Sequence, residues 1–507
     1  MSFFTEGPDI NSNLVVVIAP MLLAWALIIV SSIKLIKNNP DGFRRESMWP
    51  LLISAILTLV LLALYSRFVS EYWNPGEQNW KFEYNGVMLS QGQSPPFPHS
   101  SPHGASLLMA PFFLIFGAAH LAAVVLNALA MMAAALFASL AAREASGGRK
   151  LPAILAGPLL VTYFPVIAIW AAGGEYAIFL ACMSAAMWLI LRSLKDSSTA
   201  SITLCSAVIF MTALIRVEGF FLWLLWPFAL FIAGKLNLKK LAAIAGGAAG
   251  SLTLILIAIY HIAFGNAGRP ILRFEHLAQN SSWLAFFLSD GIIVLLLTLP
   301  GLPALAQRNA VSAFTLLCLS TGYAVFWLFG PNLDHFQIST QIFLPLCVIA
   351  ASAFSMLYEK KKIVLIGVAT LALVLQAMPF GTAYNHLSGK MRIGQQRDRE
   401  VRTLAAELDG ETPLIANHPH VRMTMPHIKP HGETYININE FASFSQTRKK
   451  IACFSSIEKP GECLFTYEMF PRGSVSLLEP EKFGYSLEKR IQNGETFLNI
   501  YAKKRAD

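Results

Sequence analysis

The chain has 507 residues, 55% hydrophobic and 14% charged, with a formal net charge of +9 and a mean hydropathy of +0.53. Repeated apolar runs of about eighteen residues or more have no aqueous core large enough to hide them, which excludes a soluble globule. In lipid every backbone polar group must be paired internally, so long unalternating runs select helices over a barrel.

Hydropathy predicts about twelve spans, at 13–33, 49–69, 117–141, 151–171, 175–194, 199–215, 219–234, 241–264, 284–303, 311–329, 339–357 and 363–380. Cationic clusters fall in alternate loops: Lys34, Lys37, Arg44 and Arg45; Arg143, Arg149 and Lys150; Arg192 and Lys195; Lys235, Lys239 and Lys240; Arg308; and Lys360, Lys361 and Lys362. The positive-inside rule makes those loops cytoplasmic, and it accounts for much of the net charge without nucleic acid as a partner. The N-terminal tail, with Glu6 and Asp9 and no basic residue, then lies outside, and it shows no cleavable signal pattern.

The expected fold class is an all-α polytopic membrane protein with a small C-terminal α/β extracytoplasmic domain. Residues 1–383 form the membrane part, with an outward first loop at 70–116, and residues 384–507 form the soluble part. The boundary is a shift in composition: 384–507 hold 18 Lys or Arg and 15 Asp or Glu, close to half the charges of the chain. Within it a helix is predicted near 395–408 and strands near "PLIAN", "TYINI", "LFTYEM" and "FLNIYA". Cys182, Cys205, Cys318 and Cys347 sit in apolar helices as small hydrophobes. Cys453 and Cys463 flank a "KPGE" turn and are expected to form a disulfide if this part faces an oxidising compartment. His418, His420, His427 and His431 lie close together, but their spacing fits no familiar zinc pattern.

The carboxylates carry the functional reading. Glu71, Glu77, Glu83, Glu175, Glu218, Glu275 and Asp334 all fall outward or near the outer boundary, whereas mid-helix acids are nearly absent. An ion-coupled transporter places ionisable groups near the midplane, so the pattern argues for an outward reaction centre. Arg216 and Glu218 interrupt an apolar stretch at i and i+2, a spacing that does not face on a helix and predicts a break between two short spans. Arg216 there is a candidate for contacting a lipid phosphate or an active-site acid. Arg269 and Arg273, spaced by four in an outward segment, can cradle a phosphate or diphosphate; an amphipathic surface helix is the plain alternative. His99 and His103, in a Pro-rich turn, are further substrate-binding candidates.

Four segments, in order and on the expected face, resemble the GT-C glycosyltransferases that use polyprenyl- or dolichyl-phosphate sugars, of the protein mannosyltransferase and lipid A aminoarabinose transferase type. They are "GEQNWKFEYNGVMLSQGQSPPFPHSSPHGASLLMAPFFLIFG", "AAGGEYAIFLACMSAAMWLI", "ALIRVEGFFLWL" and "FGPNLDHFQISTQIFLPL". Two departures stand out: Glu77 is followed by Gln78 where the family carries an acidic pair, and residues around His335 and Gln337 replace the family's late Arg-Tyr.

The resemblance implies inverting transfer of a sugar from an undecaprenyl- or dolichyl-phosphate donor to a lipid-, glycan- or protein-linked hydroxyl. Glu77 is then the base, with Glu83 and Glu71 as alternates, and Glu77 with Glu175 could hold a divalent cation such as Mg or Mn. The site would lie on the periplasmic face of a bacterial inner membrane, or the lumenal face of a eukaryotic one. A transporter or flippase, and a polymerase or ligase of lipid-linked glycans, are the alternatives that composition leaves open.

Overall fold

A computed structural model describes residues 22–34, 37, 45–68, 79–92, 104–117, 120–171, 173–263, 277–329, 335–357 and 362–377. It also describes scattered positions between 384 and 412, then 414–415, 430–431, 449–456, 480–494 and 496–503. The helices are α1 (Leu22–Lys34), α2 (Arg45–Tyr65), α3 (Asn79–Ser90), α4 (Gly104–Phe116), α5 (His120–Ala145), α6 (Lys150–Val161), α7 (Phe164–Ala171) and α8 (Glu175–Ser193). They continue with α9 (Thr199–Ile215), α10 (Phe221–Ile232), α11 (Leu238–Ala263), α12 (Leu277–Leu288), α13 (Ile292–Phe329), α14 (His335–Leu357) and α15 (Lys362–Ala377).

Each predicted span overlaps a helix, but the lengths differ. Among the described residues four helical stretches are long and apolar enough to cross a membrane, or five if α6 and α7, bent by 60°, count as one. The other apolar helices, including α1, α4, α9 and α10, are shorter. Between the spans predicted at 284–303 and 311–329, α13 consists of two helices that meet at a kink at Asn309, whose backbone is not helical (φ −151°, ψ 81°). The Asn309 side chain accepts from Ser312 N at 3.1 Å, so it caps the second half where the inward turn was expected.

Small residues let the central helices approach closely, as packing without a hydrophobic driving force requires. Ala134, Ala135, Ala138, Ala141 and Ala142 of α5 are fully buried. Ser54 of α2 and Ser139 of α5 are hydrogen-bonded at 2.8 Å, and Gly157 N of α6 donates to Ser139 Oγ at 3.2 Å. A methyl group at Gly157 would lie 2.6 Å from the Ala135 carbonyl oxygen and 2.8 Å from Ser54 Oγ.

The C-terminal part is a five-stranded sheet of order β2-β1-β3-β5-β4, from β1 (Leu414–Ile415), β2 (Pro430–His431), β3 (Lys450–Ser456), β4 (Tyr485–Asn493) and β5 (Thr496–Lys503). β1 runs parallel to β2 and β3, while β3–β5 and β4–β5 are antiparallel. β1 and β5 lie in "PLIAN" and "FLNIYA"; "TYINI" and "LFTYEM" lie outside the described residues. Cys453 on β3 is disulfide-bonded and Cys182, Cys205, Cys318 and Cys347 are free; Cys463 lies outside the described residues. Beyond α15, Tyr384 packs back on the bundle, its ring 4.7 Å from that of Phe164 of α7 and 6.0 Å from that of Phe68.

Gly157→Ala is expected to destabilise the detergent-purified protein by about 1–3 kcal/mol, read as a fall in melting temperature, because backbone rather than a flexible side chain obstructs the new methyl. Gly246→Ala, on α11 with open space around it, is expected to be neutral or stabilising by up to about 1 kcal/mol.

Candidate functional site

One end of the bundle gathers buried ionisable groups around a break in the chain. α9 ends at Ile215 because Arg216 is extended (φ −146°, ψ 139°), and Val217–Phe220 follow as a 3-10 turn before α10. The turn folds back tightly: a methyl at Gly219 would lie 2.7 Å from the Thr212 carbonyl carbon and 2.8 Å from Ala213 N. With Arg216 extended, the i and i+2 side chains can meet, which a helix forbids. Arg216 Nε donates to Glu218 Oε2 at 3.1 Å and Nη2 to Glu218 Oε1 at 2.6 Å, a bidentate pair.

Arg216 Nη1 donates to Glu175 Oε1 at the start of α8. The guanidinium carbon sits 3.9 Å from the ring centroid of Tyr176, within cation–π range. All three charged residues are buried, and Tyr323 of α13 fastens the turn by donating its hydroxyl to the Glu218 carbonyl at 3.2 Å. Two carboxylates thus flank one guanidinium, and Glu175 Oε2 has no hydrogen-bond partner among the described residues.

A second buried acid lies next to this triad. Both oxygens of Glu83 on α3 lie close to His120 Nδ1 at the start of α5, at 2.9 and 3.0 Å, and both side chains are fully buried. Gly173, with φ +71°, passes against the pair; a side chain there would collide with Glu83 Oε1 and His120 Cε1. The next residue, Gly174, accepts from Asn127 Nδ2 at 3.0 Å and occupies the N-cap of α8, which Glu175 opens. The "GGE" segment therefore joins the Glu83–His120 pair to the Arg216 triad. Helix α3 is held by the Ser106 hydroxyl donating to Phe82 O at 3.0 Å and by Gly86 against Phe113.

The structure brings Glu175, Arg216 and Glu218 together. Glu71, Glu77, His99, His103, Arg269, Arg273, Glu275 and Asp334 lie outside the described residues, and His335 and Gln337 are described only as part of α14. Sequence reasoning placed Glu83 among the alternates for a base and missed His120, Tyr176 and Asn127. The available signals were a histidine opening a long apolar helix and paired glycines before a glutamate. Among the described residues no three His, Cys, Asp or Glu side chains form a metal-ligand group.

Arg216→Ala leaves two buried carboxylates without their cation and is expected to destabilise by about 3–5 kcal/mol. Thermal unfolding of Arg216→Met with Glu175→Gln and Glu218→Gln should recover much of that loss, because the uncompensated charges are gone. A triple variant as unstable as Arg216→Ala would show that packing, not charge pairing, holds this turn.

No family model and no curated protein matches the chain. Among solved structures it is similar to ArnT from Cupriavidus metallidurans bound to undecaprenyl phosphate, with a TM-score of 0.57 and 13% identity, covering 90% of this chain and 98% of that one. The apo state of the same protein matches with a TM-score of 0.57 and 13% identity, over 88% and 97% of the two chains. At this identity the likeness is one of fold: the chain shares the overall fold of that protein over about nine-tenths of its length.

Proposed function

We propose that this protein is a glycosyltransferase that moves a sugar from a polyprenyl-phosphate donor to an acceptor hydroxyl at the outer face of the membrane. The observation that carries this reading is the shared fold, over nearly the full length of both chains, with a protein whose structure holds undecaprenyl phosphate. The buried acids at one end of the bundle support it, because an acid-lined site at the edge of the hydrocarbon suits a substrate with a lipid tail and a polar head. This reading keeps twelve crossings, with the C-terminal part on the outer side of a bacterial inner membrane.

The acceptor oxygen attacks the anomeric carbon as the bond to the lipid phosphate breaks, with inversion, and Glu77 takes the hydroxyl proton. Phosphate leaves as an anion and needs charge stabilisation more than a proton, so a second carboxyl acid of the glycosidase kind is not required. Glu77 lies two residues before α3, whose docking through Glu83 and His120 would hold its loop against the bundle.

Arg269 and Arg273, with His99 and His103, are the candidates for the donor's phosphate. Arg216 is a weaker one, because its guanidinium already faces two carboxylates and would have to release one to accept another anion. Glu77 and Glu175 remain the candidates for a divalent cation such as Mg or Mn, with Glu175 Oε2 as the oxygen that has no partner among the described residues; a fall in turnover on chelation is the expected outcome if they hold one.

The test is transfer of labelled sugar from polyprenyl-phosphate donors to a membrane extract by purified protein, wild type against Glu77→Gln. Turnover is expected to fall about 10²–10⁴-fold with donor binding retained. Unchanged turnover would remove Glu77 and move the base to Glu83 or Glu71. No transfer by either protein, across several donors, would favour a transporter.

A further inference from the structure

The opposite end of the bundle holds a built cluster of cations. α8 runs 19 residues, about 28 Å, from Glu175 in the acid nest to Ser193 at this end. That is close to the thickness of a hydrocarbon core, so the two ends lie at opposite headgroup levels.

Four cations converge here, Arg192 and Lys195 on one carboxylate and the three lysines on a run of backbone carbonyls. Arg192 Nη1 pairs with Glu144 Oε1 at 3.3 Å, and Lys195 Nζ reaches Glu144 Oε2 at 3.0 Å and the Glu144 carbonyl at 2.5 Å. Lys235 Nζ then donates to the Lys195 carbonyl at 2.8 Å, and Lys240 Nζ to the Lys235 carbonyl at 2.8 Å. Each lysine is thus tied to the backbone of the segment before it, which draws the α8–α9 and α10–α11 loops together. Arg192 is held against the Trp188 ring at 6.0 Å.

Among the described residues the acids nearby do not balance these charges. Glu144 is shared by Arg192 and Lys195, and Asp196 accepts from Ser198 N at 3.0 Å and faces its hydroxyl at 3.2 Å. Lys235, Lys239 and Lys240 add three further positive charges. An ammonium has three N–H donors, and Lys235 and Lys240 each place one on a carbonyl, which leaves two apiece for an anion. Orienting a bilayer needs only cations in the right loops; it does not need them tethered into one cluster.

We propose that Lys195, Lys235 and Lys240 form a binding site for the phosphate headgroup of an anionic phospholipid in the leaflet opposite the acid nest. The apolar outer surface of α10, where Leu224, Phe228 and Phe231 are exposed, provides a bed for the acyl chains beside it. The ligand is a lipid rather than free phosphate because the cluster lies at headgroup depth and borders that apolar surface.

The test is titration of the full-length protein in detergent with phosphatidylglycerol, with lipid adducts read by native mass spectrometry. Phosphatidylcholine and inorganic phosphate form the comparison arms. Each lysine near an anionic surface is worth about a fivefold change in affinity, so K195Q/K235Q/K240Q is expected to weaken phosphatidylglycerol binding on the order of a hundredfold. K360Q/K361Q/K362Q, which removes as much charge from another loop of the same side, is expected to change it no more than a few-fold. Should the first triple fail to fold, Lys240→Gln alone is expected to show about a fivefold loss. Equal losses in both triples, or equal retention of phosphatidylcholine, would overturn the proposal. Displacement of the lipid by millimolar inorganic phosphate would overturn the lipid assignment in favour of a free anion.

Discussion

A guanidinium removed from water must be surrounded by acceptors or it unfolds what contains it, and Arg216 meets that demand with carboxylates from two parts of the chain. Glu218 is only two residues away, so pairing with it requires that the helix stop. α9 accordingly ends at Arg216, and Gly219 lets the turn lie against the last turn of that helix. Glu175 comes from the start of α8, where the helix dipole also favours a carboxylate. The break in the apolar stretch is therefore a consequence of where the charges are, and the charges sit where the backbone can afford no helix.

The same constraint extends to the first loop through a glycine. Because Gly173 tolerates a positive φ and carries no side chain, the segment entering α8 can pass directly over the Glu83–His120 pair. The result is one continuous polar nest spanning α3, α5, α8 and the α9–α10 turn. Three of the four segments that carry the sequence resemblance, those containing Glu83, Glu175 and Arg216, thereby come into contact. Their order along the chain has a spatial reason: they are the pieces that must meet to bury these charges together.

How much of this was legible depended on which force set each element. Long apolar runs announce themselves, so the helix positions from α5 to α11 fall close to their predicted bounds. The break at Asn309 was legible as the gap between two predicted spans, because Arg308 and Asn309 interrupt the apolar run and Asn309 caps the helix that follows. Helices α3 and α4 lie inside what reads as one outward loop: α3 mixes polar residues with a buried Phe82, Glu83 and Asn85, and α4 is too short to span. β4 was missed for a different reason. Its sequence "YSLEKRIQN" is mostly exposed, as befits an edge strand, and so carries no apolar alternation to read.

Arg216 and Glu218 were recognisable as a break, but their partner was not, since nothing in local spacing ties residue 216 to residue 175. Tertiary pairing of this kind becomes readable only from charge balance. A buried Arg with a single Glu would be neutral, whereas Glu175 makes the triad formally negative if both acids are ionised, and Glu83 adds another acid next to it. The cationic end of the bundle follows the opposite logic, with lysine ammoniums tethered to backbone carbonyls in place of carboxylates, so that charge of one sign gathers at each end of α8.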